Sequence, residues 1–163
     1  MYIHKESEHN LGAPSLVAPI ISDLFTIDSI LDVGCGIGTW LHEFQKIGVN
    51  DLMGVDGDYV DVNLLNKYLN SKNFRSFDLQ KPFNLGRKFD LVLSLEVAEH
   101  LNEASAETFV ESLCAHADTI VFSAAVPGQG GQNHLNEQWP SYWVDIFNKK
   151  GFKFFCLNIR NKV

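Results

Sequence analysis

Six short apolar runs punctuate the chain: 29–34 (SILDVG), 51–56 (DLMGVD), 74–78 (FRSFD), 89–95 (FDLVLSL), 119–124 (TIVFSA) and 152–159 (FKFFCLNI). Most lack the strict alternation of a strand with one wetted face, which points to strands covered on both faces, as in a parallel sheet. Between them, apolar positions recur at helical spacing. Residues 38–47 place Leu41, Phe44 and Ile47 on one stripe, and residues 102–117 place Phe109, Val110, Leu113 and Ala117 on another. Residues 139–150 do the same with Trp139, Trp143, Ile146 and Phe147, with Pro140 near the start and Gly151 as the stop. A further helix is expected over 15–25. Strands alternating with helices predict an α/β fold, a doubly wound and mainly parallel sheet with helices on both faces. Ligands of such sheets bind beyond the carboxyl ends of the strands.

Length and composition narrow this picture without changing it. The 163 residues suit one domain over 1–163, with a helical segment over 1–27. The apolar share of 45% and charged share of 20% are those of a soluble globular protein. A net charge of −7 argues against a broad nucleic-acid footprint. The three cysteines, Cys35, Cys114 and Cys156, form no C-x-x-C, which excludes a zinc knuckle and fits a reducing compartment. No apolar run reaches membrane-spanning length, and the opening MYIHKESEHN lacks a charged segment followed by an apolar one. The expected setting is the cytoplasm, with no membrane partner.

Candidate chemistry begins at LDVGCGIGTW, residues 31–40. Glycines at 34, 36 and 38 sit where the first strand turns into a helix. Such glycines allow positive φ and close approach of a ligand to bare backbone. A tight turn and nothing more is the plainer alternative. A dinucleotide-binding turn reads G-x-G-x-x-G, whereas here Thr39 stands where its last glycine would be. Asp32 would repel a pyrophosphate and attract an ammonium group. S-adenosyl-L-methionine (SAM) offers an ammonium, a sulfonium, a ribose and an adenine, and no phosphate. The second run ends in GVDGD, which puts Asp56 where it can take both ribose hydroxyls, or else cap a helix. The third ends in SFDLQ, which puts Asp78 beside the adenine position, or else in a turn.

LDVGCGIGTW, GVDGD, SFDLQ and FDLVLSLEVAEHL, in that order and spacing, resemble the class I SAM-dependent methyltransferases, which have a Rossmann-like sheet. The stretch SAAVPGQGGQNHLNEQWPSYW resembles a bacterial small-molecule subgroup of them. The resemblance implies that Asp32, Gly34, Cys35, Gly36 and Gly38 line the methionine end of the cofactor. It implies that Asp56 and Gly57 hold the ribose and that Asp78 and Leu79 meet the adenine. Ser94, Leu95 and Glu96 would lie beneath. The resembled fold carries a seventh, antiparallel strand between the fifth and sixth, and this chain ends at Val163, soon after the sixth run. Either the chain is truncated or the sheet edge differs. The sixth strand is then expected to leave a gap beside the fifth, to move in and pair with it, or to borrow a strand from a second copy of the chain.

Glu96, Glu99 and His100 follow the fourth run as E-x-x-E-H, which would share one face of a helical turn. The plainer reading is acidic residues favoured in a first helical turn. The sharper one is a divalent metal site for Mg²⁺ or Mn²⁺, with His134 as a fourth ligand. Similar segments occur in ubiquinone-pathway O-methyltransferases and in small-RNA terminal 2′-O-methyltransferases, where they accompany a metal. Without metal, His100 or His134, with Glu96, would serve as base or acceptor-positioning group. PGQGGQNHLNEQW reads as a mobile loop whose polar groups suit a hydroxylated substrate, or as an ordinary surface loop. Trp139, Tyr142 and Trp143 read as core or lid packing, and Cys35 as a small packing residue. His4, His9, His42 and His116 show no partner pattern.

The sequence thus favours a SAM-dependent methyltransferase acting on a small polar acceptor at oxygen, with a sugar or glycan precursor in mind. A catalytically silent SAM-binding module is the second reading. An NAD-dependent oxidoreductase is the third, disfavoured by Asp32 and Thr39.

Overall fold

The computed structural model describes residues 10–156. Its elements are α1 (Gly12–Leu24), β1 (Ser29–Val33), α2 (Thr39–Lys46), β2 (Asp51–Asp56), α3 (Val62–Leu65), β3 (Phe74–Ser76), β4 (Leu91–Leu95), α4 (Ala106–Cys114), β5 (Ile120–Ser123) and α5 (Pro140–Lys149). The five strands form one sheet in the order β3-β2-β1-β4-β5, and every neighbouring pair is parallel. The order runs outward one way from β1 to β3 and the other way from β4 to β5. A crevice therefore opens at the carboxyl ends of β1 and β4, where chain direction across the sheet reverses.

Side chains alternate across the sheet and feed two apolar layers. Leu31, Val33 and Val92 face Phe109, Val110 and Leu113 of α4 and Trp143 and Ile146 of α5. Ile30, Leu52, Leu91 and Leu93 face Ala18 and Ile21 of α1 and Leu41 and Phe44 of α2. This explains why the runs read as continuously apolar, since both faces of the central strands are covered.

Several expectations are corrected. Ile47 is 42% exposed, because α2 ends at Lys46 and the chain turns outward through Gly48, at φ 107°. Trp139 is 61% exposed, lying ahead of the first turn of α5 and outside its buried stripe. The helix expected over 102–117 opens as a 3-10 turn, Glu103–Ser105, before α4 begins. The third strand stops at Ser76, so Asp78 lies beyond it in a turn. The sixth run forms no strand over Phe152–Cys156, where Phe154 and Phe155 are exposed. Positions 157–159 of that run lie outside the described residues. His116 does have partners. It is fully buried, its Nε2 accepts from Leu85 N–H at 2.9 Å, its Nδ1 faces the Ser112 carbonyl at 2.6 Å, and its ring stacks on Phe83.

Candidate functional site

The chain leaves β1 through Gly34, Gly36 and Gly38, with φ of 84°, 53° and 87°. L side chains rarely adopt these values, so the turn depends on glycine. At Gly34 space is short as well, since a methyl there would stand 2.3 Å from Val97 Cγ2. The turn is tied to the end of β2. Gly34 and Cys35 N–H donate to the Val55 carbonyl, at 2.7 and 3.2 Å. Gly36 N–H donates to Asp56 Oδ2 at 2.8 Å.

Two buried carboxylates meet here. Asp56 Oδ1 accepts from Gly57 N–H at 2.6 Å and from the Tyr59 hydroxyl at 2.7 Å. Asp32 is 2% exposed and its Oδ2 has no hydrogen-bond partner among the described residues. Burial, and then the neighbouring Asp56, push the Asp32 carboxyl up to about 8. Burial and the same two carboxylates push the Cys35 thiol well up, which suits packing and not nucleophilic attack. A buried carboxylate with an unsatisfied oxygen beside a second carboxylate is suited to a cation and hostile to phosphate. The donor set therefore fits the ammonium end of SAM and does not fit a pyrophosphate.

The other predicted cofactor residues are spread along the strand ends. Asp78 is exposed, paired with Lys81 at 3.1 Å and accepting from Gln80 N–H, and its carboxyl is held below the usual range by Lys81. Leu79 is buried beside it. Ser94 is fully buried and its hydroxyl lacks a partner among the described residues. Glu96 follows Leu95 in the left-handed region, at φ 56°. A non-glycine residue held there marks a constrained position. Its carboxylate accepts from Ser123 Oγ at 2.7 Å and from Gln129 Nε2 at 3.2 Å, which clasps the ends of β4 and β5 to the loop beyond.

A cavity of about 1800 Å³ is lined by Asp32, Asp56 and Asp78 and also by Glu99, His100 and His134. Glu99 and His100 lie in a 3-10 turn, Ala98–His100. Glu99 is 1% exposed, both its carboxylate oxygens lack a hydrogen-bond partner among the described residues, and burial pushes its carboxyl up to about 7. Its carbonyl accepts from Leu135 and Asn136 N–H, at 2.7 and 3.0 Å, and so draws the 126–138 loop over the turn. His100 Nδ1 lies 3.3 Å from the Asn133 carbonyl, and burial lowers the His100 pKa. The His100 and His134 rings meet edge to face, 5.0 Å apart. One donor atom each from Glu99, His100 and His134 lies within 4.8 Å of the others. Glu96 is not in this group, because its φ turns the carboxylate toward Ser123 before the 3-10 turn begins. One oxygen and two nitrogen donors, with an unsatisfied buried carboxylate, fit a divalent transition-metal ion.

Sequence reasoning passed over Tyr59, Gln129, Asn133 and Glu137. Glu137 left a faint signal, three residues after His134 in a glycine-rich loop. Tyr59 left a similar one, three residues after Asp56.

Three similarities bear on this geometry. A ubiquinone biosynthesis O-methyltransferase of Bartonella tribocorum is 29% identical over 80 residues, which are 47% of this chain and 32% of that protein. The chain therefore spans about a third of the length of that curated relative. The crystal structure of Streptomyces venezuelae DesVI superposes with a TM-score of 0.64 at 24% identity, covering 80% of this chain and 62% of that one. SAM-bound CalS10, an amino pentose methyltransferase from Micromonospora echinaspora, superposes with a TM-score of 0.60 at 23% identity, over 72% of this chain and 53% of that one. Among the described residues no helix is long and apolar enough to cross a membrane. A methyltransferase-domain family model matches residues 7–155, and with the five-stranded Rossmann-like sheet this makes the chain a member of the class I SAM-dependent methyltransferase family.

Proposed function

We propose that this chain binds SAM at the glycine turn and methylates a hydroxyl oxygen of a small polar acceptor, with a sugar or glycan precursor as the expected class. One observation carries the reading: the Asp32 carboxylate, whose Oδ2 has no hydrogen-bond partner among the described residues, and the Glu99–His100–His134 cluster line the same cavity. The B. tribocorum relative, named for O-methylation, and the amino pentose methyltransferase with its bound SAM support the chemical class.

In this reading Asp32 takes the ammonium, and the backbone of Gly34, Cys35, Gly36 and Gly38 closes over the methionine end. Asp56, with Gly57, takes the ribose hydroxyls, and its Oδ1 exchanges the Tyr59 hydroxyl for one of them. Asp78 and Leu79 meet the adenine, and Ser94 and Leu95 lie beneath. Bound SAM supplies a methyl already activated by its sulfonium. The chain's task is to hold an acceptor oxygen in line and remove its proton. Orientation is worth several powers of ten, and a positioned base about 10² to 10⁴. Without a metal, His100 or His134 would receive that proton. With a metal, Glu99, His100 and His134 would instead hold a divalent transition-metal ion such as Mn²⁺. Such an ion, when bound, lowers the pKa of the acceptor hydroxyl.

The test is transfer of label from methyl-labelled SAM to a cell extract and to a panel of hydroxylated small molecules. It is repeated with chelator and after Mn²⁺ is restored. The expected result is a labelled small polar product, lost in Asp32→Asn and in excess chelator. Full activity in excess chelator would remove the metal and leave the histidines as base and scaffold. SAM binding with no transfer would leave a silent binding module. Binding of NAD without SAM would overturn the reading altogether.

A further inference from the structure

A single carboxylate organises the loop after β5. Glu137 Oε2 accepts from Gly128 N–H at 2.8 Å, and Oε1 accepts from Gly130 N–H at 3.0 Å. The same Oε1 lies 2.8 Å from His134 Nδ1. An ionised carboxylate can only accept, so the proton on this contact belongs to Nδ1. In the neutral ring that leaves Nε2 with the lone pair. A second feature sets where that nitrogen sits. A methyl on Gly131 would stand 2.3 Å from His134 Nε2 and 2.4 Å from Cε1, so the ring packs against bare backbone.

We propose that Glu137 is a positioning residue of this site, fixing the Nδ1–H tautomer of His134 so that Nε2 is presented to Glu99 and His100. The proposal rests on the functional reading of His134 given above. It holds equally for a base and for a metal ligand, since both need an Nε2 lone pair. Carboxylates that orient ligating or catalytic histidines act in this way, and their loss weakens metal binding about 10–100-fold. The competing account is that Glu137 only staples a glycine-rich loop.

The experiment is two-bond ¹H–¹⁵N NMR of the histidines in the full chain at about pH 8, above the ordinary histidine range. Mn²⁺ alone is titrated in parallel by electron paramagnetic resonance. Wild-type His134 is expected as the Nδ1–H form. Glu137→Ala is expected to shift it toward Nε2–H and to weaken Mn²⁺ binding about 10–100-fold. Glu137→Gln keeps one acceptor oxygen and is expected to hold the Nδ1–H form, which covers the case in which the alanine variant does not fold. Gly131→Ala is expected to weaken Mn²⁺ binding with the tautomer unchanged. An Nε2–H form in the wild type, or an Nδ1–H form that persists in folded Glu137→Ala, would overturn the proposal and leave a loop staple. An absence of Mn²⁺ binding by the wild type would fail the metal part of the functional reading, and the tautomer would still decide the role of Glu137.

Discussion

The buried Asp32 carboxylate makes cofactor binding depend on pH in a way that can be calculated. In the free protein Asp32 sits near 8, raised from 3.8 by burial and by Asp56. A cofactor ammonium needs the ionised form. At about pH 6, two units below that value, ionising Asp32 costs about 2.7 kcal/mol, so SAM binds about 100-fold more weakly than the fully ionised site would. At about pH 7 the penalty is about 1.4 kcal/mol, or tenfold. By about pH 8 an α-amino group is itself about half deprotonated, which sets an upper limit to the useful range. The expected result is that log Kd falls by about one unit per pH unit between about pH 6 and 7.5. Calorimetry in buffers of different ionisation enthalpy should show close to one proton released per SAM at the lower end. Asp32→Asn should flatten the slope and weaken binding at about pH 8 by about 1.5–3 kcal/mol, the value of a hydrogen bond to a charged group. The sign for folding is opposite. A carboxyl raised above its unfolded value keeps its proton longer in the folded state. The cofactor-free protein therefore loses stability as pH rises from about 4 to about 8, and Asp32→Asn should remove that loss. A Kd that stays flat from about pH 6 to 7.5, or a slope that survives in Asp32→Asn, would refute the reasoning.

Gly34→Ala must place a side chain at φ 84° and 2.3 Å from Val97 Cγ2, and is expected to cost about 2–4 kcal/mol from the backbone penalty and overpacking together. Urea unfolding checks it, and a change below about 1 kcal/mol would mean that the turn relaxes freely. His116→Ala leaves Leu85 N–H without its acceptor and opens a hole beside Phe83, with an expected loss of about 3–5 kcal/mol and unchanged SAM affinity. A fall in affinity without a fall in stability would contradict the structural role assigned to it. Among the described residues β5 pairs only with β4, and all its residues are half-buried. Its other edge is expected to join a second copy at high concentration. Light scattering that gives a monomer throughout, with Ile120–Ser123 as protected from exchange as Leu91–Leu95, would remove that expectation.

Much of the candidate site was visible as strand ends. Asp32, Asp56 and Asp78 are separated by tens of residues, yet each lies at or just past the carboxyl end of a strand, and parallel strands deliver such ends to one edge. The sequence could not show that Asp32 and Asp56 are both buried and electrostatically coupled. Nor could it show that Asp78 stays exposed on Lys81. Burial depends on what the helices cover. E-x-x-E-H suggested three ligands on one face, with His134 as a fourth from elsewhere. The left-handed backbone at Glu96 breaks that face, and a local pattern cannot foresee a φ imposed by contact with a neighbouring strand.

By itself the sequence determined the alternation of strands and helices, the glycine turn and the positions of the carboxylates. These are set by side-chain periodicity and by the conformations that glycine alone adopts freely. Tertiary structure decided what each polar group meets. The 126–138 loop brings His134 to Glu99 and His100 because the Glu99 carbonyl and the Glu137 carboxylate take up its backbone donors. His116 becomes a core acceptor because Leu85 N–H has to be satisfied where water is excluded. Such pairings join residues distant in sequence through hydrogen bonds whose value depends on burial, and burial exists only once the sheet and its helices have closed.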